Sequence, residues 1–121
     1  MVLPFSRTLS HRIRRLIQGS DMQIIKVGSV PVRVVFAEME DFGEWAYTAS
    51  PEIRINKDLC PQVKACTLLH EILHAVCDVY GVRLAERDVL TLEQGLAQVC
   101  VDNPEVVLEW LKGMLGIDGK I

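Results

Sequence analysis

Two histidines four residues apart, His70 and His74, with Glu71 directly after the first, are the residues of this chain best suited to chemistry. Neutral imidazoles are strong zinc ligands, and helical residues i and i+4 lie close enough to converge on one ion. With His70 set at 0° on a helical wheel, His74 falls at about 40° and Glu71 at about 100°. The carboxylate is therefore angled off the imidazole pair, beside the ligand set rather than inside it. There it can accept a proton from a water activated by the metal. Leu69, Ile72, Leu73, Val76 and Tyr80 gather around 240°, roughly opposite, which marks them as a packing face. The alternative without chemistry is two surface histidines and a glutamate on a solvated face.

A catalytic zinc usually takes three protein ligands and keeps one position open. Glu93 is our choice for the third. Val89, Leu96 and Cys100 flank it at helical spacing, so its carboxylate sits at the edge of an apolar stripe, where an unpartnered acid is costly. Glu86 is the alternative, although an acid in the first turn of a helix is already explained by the helix dipole. Asp78 is a third candidate. It lies one turn beyond His74 with a side chain short enough to point past the ion, and it suits a hydrogen bond to a ligand histidine. Tyr80 and Tyr47 are the phenols that could stabilise an oxyanion.

These residues need a scaffold. Pro61 suits the first turn of the helix that carries the histidines, and Gly81 suits its end after Tyr80. Upstream, the apolar runs from Met22 to Val27 and from Val30 to Phe36 flank Gly28-Ser29 and read as a hairpin, with Pro31 at an edge or a strand start. Glu38 to Pro51 reads as a loop, and Glu52 to Asn56 alternates like a half-buried strand. A second helix is expected over Ala85 to Val101. A third should be capped by Asn103 and opened by Pro104, with Val107, Trp110, Leu111 and Met114 on its apolar side. Strands followed by helices point to an α+β fold.

Half of the 121 residues are hydrophobic and 24% are charged, the balance of one globular domain. The net charge of -3 argues against bulk nucleic-acid binding. Residues 1–21 hold Arg7, Arg12, Arg14 and Arg15 against Asp21 alone, and His11 lies among them. With Leu9, Ile13, Leu16 and Ile17 they form a basic amphipathic arm, whose composition also suits a targeting segment. No apolar run is long enough for a transmembrane segment. Cys60, Cys66, Cys77 and Cys100 show no C-x-x-C pairing, so we expect small buried thiols in a reducing, cytoplasmic setting rather than disulfides.

His70 to His74 match the H-E-x-x-H signature of the zincin metallopeptidases, and an added Glu on the following helix resembles the gluzincin branch. The run from Leu68 to Ala75, followed by Tyr80-Gly81, resembles the small zincins of phages and prophages related to the ImmA/IrrE-type metallopeptidases, which cleave regulatory proteins. The resemblance covers roughly Met22 to Pro104, within a domain taken as residues 22–121. It implies a minimal zincin-like fold, with a small antiparallel or mixed sheet packed on the H-E-x-x-H helix and the helices after it. It implies zinc held by His70 and His74, with Glu71 as general base. It also implies an edge strand that pairs with an extended protein or peptide substrate, and Ile53, Arg54 and Ile55 form the matching segment. No N-E-x-x-D-like motif surrounds Glu93. Cys77 and Tyr80 stand where a metzincin would have Gly and His.

Three functions fit these residues. The first is a zinc-dependent metalloendopeptidase acting on a specific protein substrate. The second is a zinc-binding interaction domain with weak or no turnover. The third, a structural zinc site, leaves Glu71 without a purpose and lacks an evident fourth ligand.

Overall fold

The computed structural model describes residues 22–117, so the basic arm of residues 1–21 lies outside the described residues. The fold is α+β, a four-stranded mixed sheet with one helix packed on it and two further helices following. In chain order the strands are β1 (Gln23–Val27), β2 (Val30–Ala37), β3 (Gly43–Ala46) and β4 (Glu52–Asn56). The helices that follow are α1 (Pro61–Tyr80), α2 (Glu86–Asp102) and α3 (Pro104–Leu115).

Strands β1 and β2 form the expected hairpin, with Gly28 at φ 61° in its turn. The left-handed conformation is one that glycine adopts without a Cβ penalty. Pro31 sits at the start of β2, before the stretch Arg33 to Ala37 that pairs with β4, so its missing N–H removes no bond to that neighbour. The spatial order is β1-β2-β4-β3, with β2 parallel to β4 and β3 antiparallel to β4.

This order corrects two expectations. Part of the stretch read as a loop is strand β3, a four-residue element that depends on its pairing with β4. And β4 is no edge. It is paired on both sides, with Ile53 and Ile55 fully buried and Arg54 turned outward to meet Glu44 and Glu52. Among the described residues the sheet edges are β1 and β3.

The core consists of Val27, Val32, Val34, Ile53 and Ile55 from the sheet, closed by Ala75 of α1. Leu68, Ile72 and Val79 pack against this cluster. These positions centre at about 170° on the wheel, so the sheet-facing side of α1 is turned toward Glu71 relative to the expected stripe. Val76 and Tyr80, placed in that stripe by the sequence, are exposed.

Helix α1 starts at Pro61 and ends at Gly81, which takes φ 73° and donates its N–H to the Cys77 carbonyl. Helix α3 starts at Pro104 as expected, but Asn103 does not cap it. Its side-chain Nδ2 donates back to Val99 O, closing the end of α2 instead. Trp110 and Met114, expected to pack, are exposed. The four cysteines are free, and none is fully buried.

Candidate metal centre

The turn of α1 at His70 to His74 faces the start of α2. The two imidazoles meet edge to face, with ring centroids 4.9 Å apart. Glu86, the first residue of α2, reaches both. Its Oε1 lies 2.6 Å from His70 Nε2 and its Oε2 lies 2.8 Å from His74 Nε2. A short connection from Gly81 to Ala85 and a bond from the Ala85 N–H to Asp88 Oδ2 set the start of α2 at this point.

His70, His74 and Glu86 each offer a ligand atom, and these atoms all lie within 4.8 Å of one another. Two imidazole nitrogens and a carboxylate oxygen converging in this way fit a zinc ion by number, type and spacing.

Glu93 stands outside this group. Two turns further along α2, its Oε1 approaches His70 at the other ring nitrogen, Nδ1, at 3.5 Å. The geometry therefore favours Glu86 over Glu93 as the third donor. The apolar neighbours of Glu93 did signal a partnered carboxylate, but its neighbour is the back of His70.

Glu71 is 7% exposed. At about 100° on the wheel it falls between the imidazoles and the sheet-facing residues, so packing of α1 on the sheet buries it beside the histidines. Burial pushes its carboxyl pKa up, His70 and His74 pull it back down, and Glu86 and Glu44 add to the rise.

A cavity of about 340 Å³ opens over these groups, lined also by Phe42, Gly43, Thr67 and Leu90. None of these four was singled out from the sequence. Gly43 alone carried a signal, as a glycine amid the predicted loop, but its packing partner is distant in the chain. A Cβ at Gly43 would lie 2.7 Å from Thr67 Cγ2, so glycine is what lets β3 approach α1 this closely.

The remaining expected site residues lie elsewhere. Asp78 contacts neither histidine by hydrogen bond; its Oδ2 accepts from Trp45 Nε1 at 2.7 Å. The Tyr80 hydroxyl lies against Gly28 at the hairpin turn, away from the cavity lining. Tyr47 stacks on Trp45 with centroids 5.5 Å apart. Ile53 and Ile55 belong to the core, and Arg54 to the outer face of the sheet.

A family model described as the IrrE N-terminal-like domain matches residues 28–98, more than half of the chain, from the hairpin turn through most of α2. No curated protein and no solved structure gives a significant match.

Proposed function

The chain belongs to the ImmA/IrrE-type zincin metallopeptidase family, and from that premise we propose that it is a zinc-dependent metalloendopeptidase acting on a specific protein substrate. Its chief support is the pair of contacts from Glu86 to Nε2 of His70 and of His74, with Glu71 buried beside them.

His70, His74 and Glu86 would hold the metal. Bound there, zinc supplies Lewis acidity that acidifies water and polarises a substrate carbonyl. Glu71 takes the proton of the attacking water and passes it to the departing amine. The water oxygen ends on the acyl carbon, the C–N bond breaks, and the products are a carboxylic acid and an amine. Burial makes Glu71 a better base than an ordinary surface carboxylate. Glu93, whose Oε1 lies 3.5 Å from His70 Nδ1, is placed to steady the ring from behind, as outer carboxylates do for metal-binding histidines. The free edge of β3, with Gly43 in the cavity wall, is where an extended peptide would add as a fifth strand.

One observation favours a second reading, a zinc-binding domain without turnover: neither Tyr47 nor Tyr80 lines the cavity as an oxyanion donor. Measuring zinc by mass spectrometry and peptide cleavage in the native chain and in Glu71→Gln separates the two. A peptidase holds about one zinc in both and cleaves only with Glu71 intact. Zinc without cleavage in either protein selects the binding domain, and cleavage by Glu71→Gln sinks the general-base assignment.

A further inference from the structure

Strands β2 and β3 lie on opposite sides of β4, so the connection between them, residues 38–42, has to pass over the end of β4. Asn56 is the last residue of β4 and stands at that crossing, paired with Ala37 at the end of β2. Its side-chain Nδ2 donates to the Met39 carbonyl at 3.0 Å and to the Asp41 carbonyl at 3.2 Å. Its backbone N–H donates to the Phe42 carbonyl at 2.8 Å, and its Oδ1 accepts from the Asp58 N–H at 2.9 Å. We propose that Asn56 is a positioning residue for the peptidase reaction: by clamping residues 39–42 it holds Phe42, and with it the start of β3, in the wall of the metal-centre cavity. The proposal rests on the peptidase reading and adds to it a residue outside the cavity lining.

The clamp uses the full capacity of the side chain. A primary amide is planar, with two N–H donors and one acceptor oxygen, and all of them are engaged here. The amide can stand only one way round, because the reverse orientation sets its oxygen against two carbonyl oxygens. A carboxylate of the same shape offers acceptors alone, so an aspartate at this position would repel the Met39 and Asp41 carbonyls.

What the clamp holds bears on the metal centre. Phe42 shares the cavity lining with His70, Glu71 and His74, yet it is 61% exposed, so packing against the protein does little to fix it. The next residue, Gly43, opens β3 and pairs with Ile55. The carbonyls of Met39, Asp41 and Phe42, all bound to Asn56, therefore set the path by which the chain enters that strand. His70, His74 and Glu86 stand on α1 and α2, so releasing the connection leaves the metal donors in place.

The test uses the full chain labelled with 4-fluorophenylalanine, with the Phe42 fluorine resonance assigned through Phe42→Leu. The native protein, Asn56→Asp and Asn56→Ala are compared. Zinc content, Tm, and KM and kcat on the peptide best cut from a random dodecapeptide library are measured alongside. In both variants the Phe42 resonance should move toward its position in the denatured chain, with zinc content unchanged. KM should rise about 5–10-fold while kcat changes less than about twofold, the pattern of lost binding rather than lost chemistry. The aspartate variant should show the larger effect. Val27→Ala, in the core near the hairpin turn, is the control for plain destabilisation: its Tm should fall while its KM holds. Phe42→Ala should raise KM by itself, and Asn56→Asp should then add little, because the two act through one contact. An unmoved fluorine resonance overturns the proposal. So does a moved resonance with unchanged KM, or an equal rise of KM in Val27→Ala, either of which leaves the clamp a matter of stability alone and the peptidase reading standing. A zinc-loaded native chain that cuts nothing overturns the peptidase reading, and the fluorine resonance then decides by itself whether Asn56 places Phe42.

Discussion

The indole Nε1 of Trp45 donates a 2.7 Å hydrogen bond to Asp78 Oδ2, tying the edge strand β3 to the last turns of α1. At the other end of the same strand Gly43 packs on Thr67. Among the described residues strand β3 has a sheet neighbour on one side only, so these two contacts with α1 fix where its other edge lies relative to His70 and His74.

Breaking the first contact should loosen the strand without touching the metal. Trp45→Phe or Asp78→Asn is expected to lower stability by about 0.5–1.5 kcal/mol, the usual net worth of a hydrogen bond. Zinc content should stay the same. In a cleavage assay KM should rise more than kcat falls, because the free edge is the surface on which a peptide would align. An unchanged KM in both variants would show that the strap serves stability alone.

The two glutamates of α2 should separate cleanly in zinc titrations. Glu86 contacts Nε2 of both histidines, whereas Glu93 approaches His70 Nδ1 at 3.5 Å. Loss of an outer carboxylate behind a metal-binding histidine typically weakens metal binding about 10–100-fold, and loss of a ligand weakens it further. Glu93→Gln should therefore fall within that range and Glu86→Ala beyond it. Zinc should raise the Tm of the native chain and of Glu93→Gln, and leave Glu86→Ala nearly unmoved at the same concentration. The reverse order would return the third position to Glu93.

The uneven legibility of this chain has a physical pattern. Pro61, Gly81 and the alternation at Ile53 and Ile55 are local signals, and the elements they mark appear where the sequence places them. Strand β3 has no such signal. Gly43-Glu44-Trp45-Ala46 contains no β-branched residue and is a strand only because β4 pairs with it. The choice between Glu86 and Glu93 depends on how α2 docks on α1, which spacing within α2 does not encode. Local apolar neighbours favoured Glu93, and they record its burial rather than its reach. The wheel placed Glu71 beside the imidazoles, but its burial follows from a sheet-facing side turned toward it, set by Leu68, Ala75 and Val79.

That burial has a consequence for stability. A carboxyl whose pKa is raised in the folded state binds its proton more tightly folded than unfolded. The contribution of Glu71 to the stability of the metal-free protein should therefore be largest at low pH and be lost as pH rises from the ordinary carboxylate value through the raised one. Glu71→Gln removes the buried charge, so the metal-free variant should melt at a higher temperature than the native chain at pH 7. The two should converge near pH 4. Melting curves across that range check the sign. A variant less stable at pH 7 would mean that the charge of Glu71 is better compensated than its burial implies.

The close approach of β3 to α1 makes a sharper demand. An added methyl at Gly43 would lie 2.7 Å from Thr67 Cγ2 and 3.0 Å from the Arg54 carbonyl oxygen, both inside ordinary contact distance. Overpacking of this kind typically costs about 1–3 kcal/mol, and Gly43→Ala should fall in that range. Thr67→Ser deletes the Cγ2 atom responsible for the closer clash. The double variant should recover part of the loss, because residues in contact couple by about 0.5–3 kcal/mol in a double-mutant cycle. Recovery should be incomplete, since the Arg54 carbonyl belongs to the paired strand β4 and has little room to move. Thermal melts of the four proteins measure the coupling. Strictly additive losses would show that β3 shifts as a unit when Gly43 is replaced, so that Thr67 does not set its position over the metal centre.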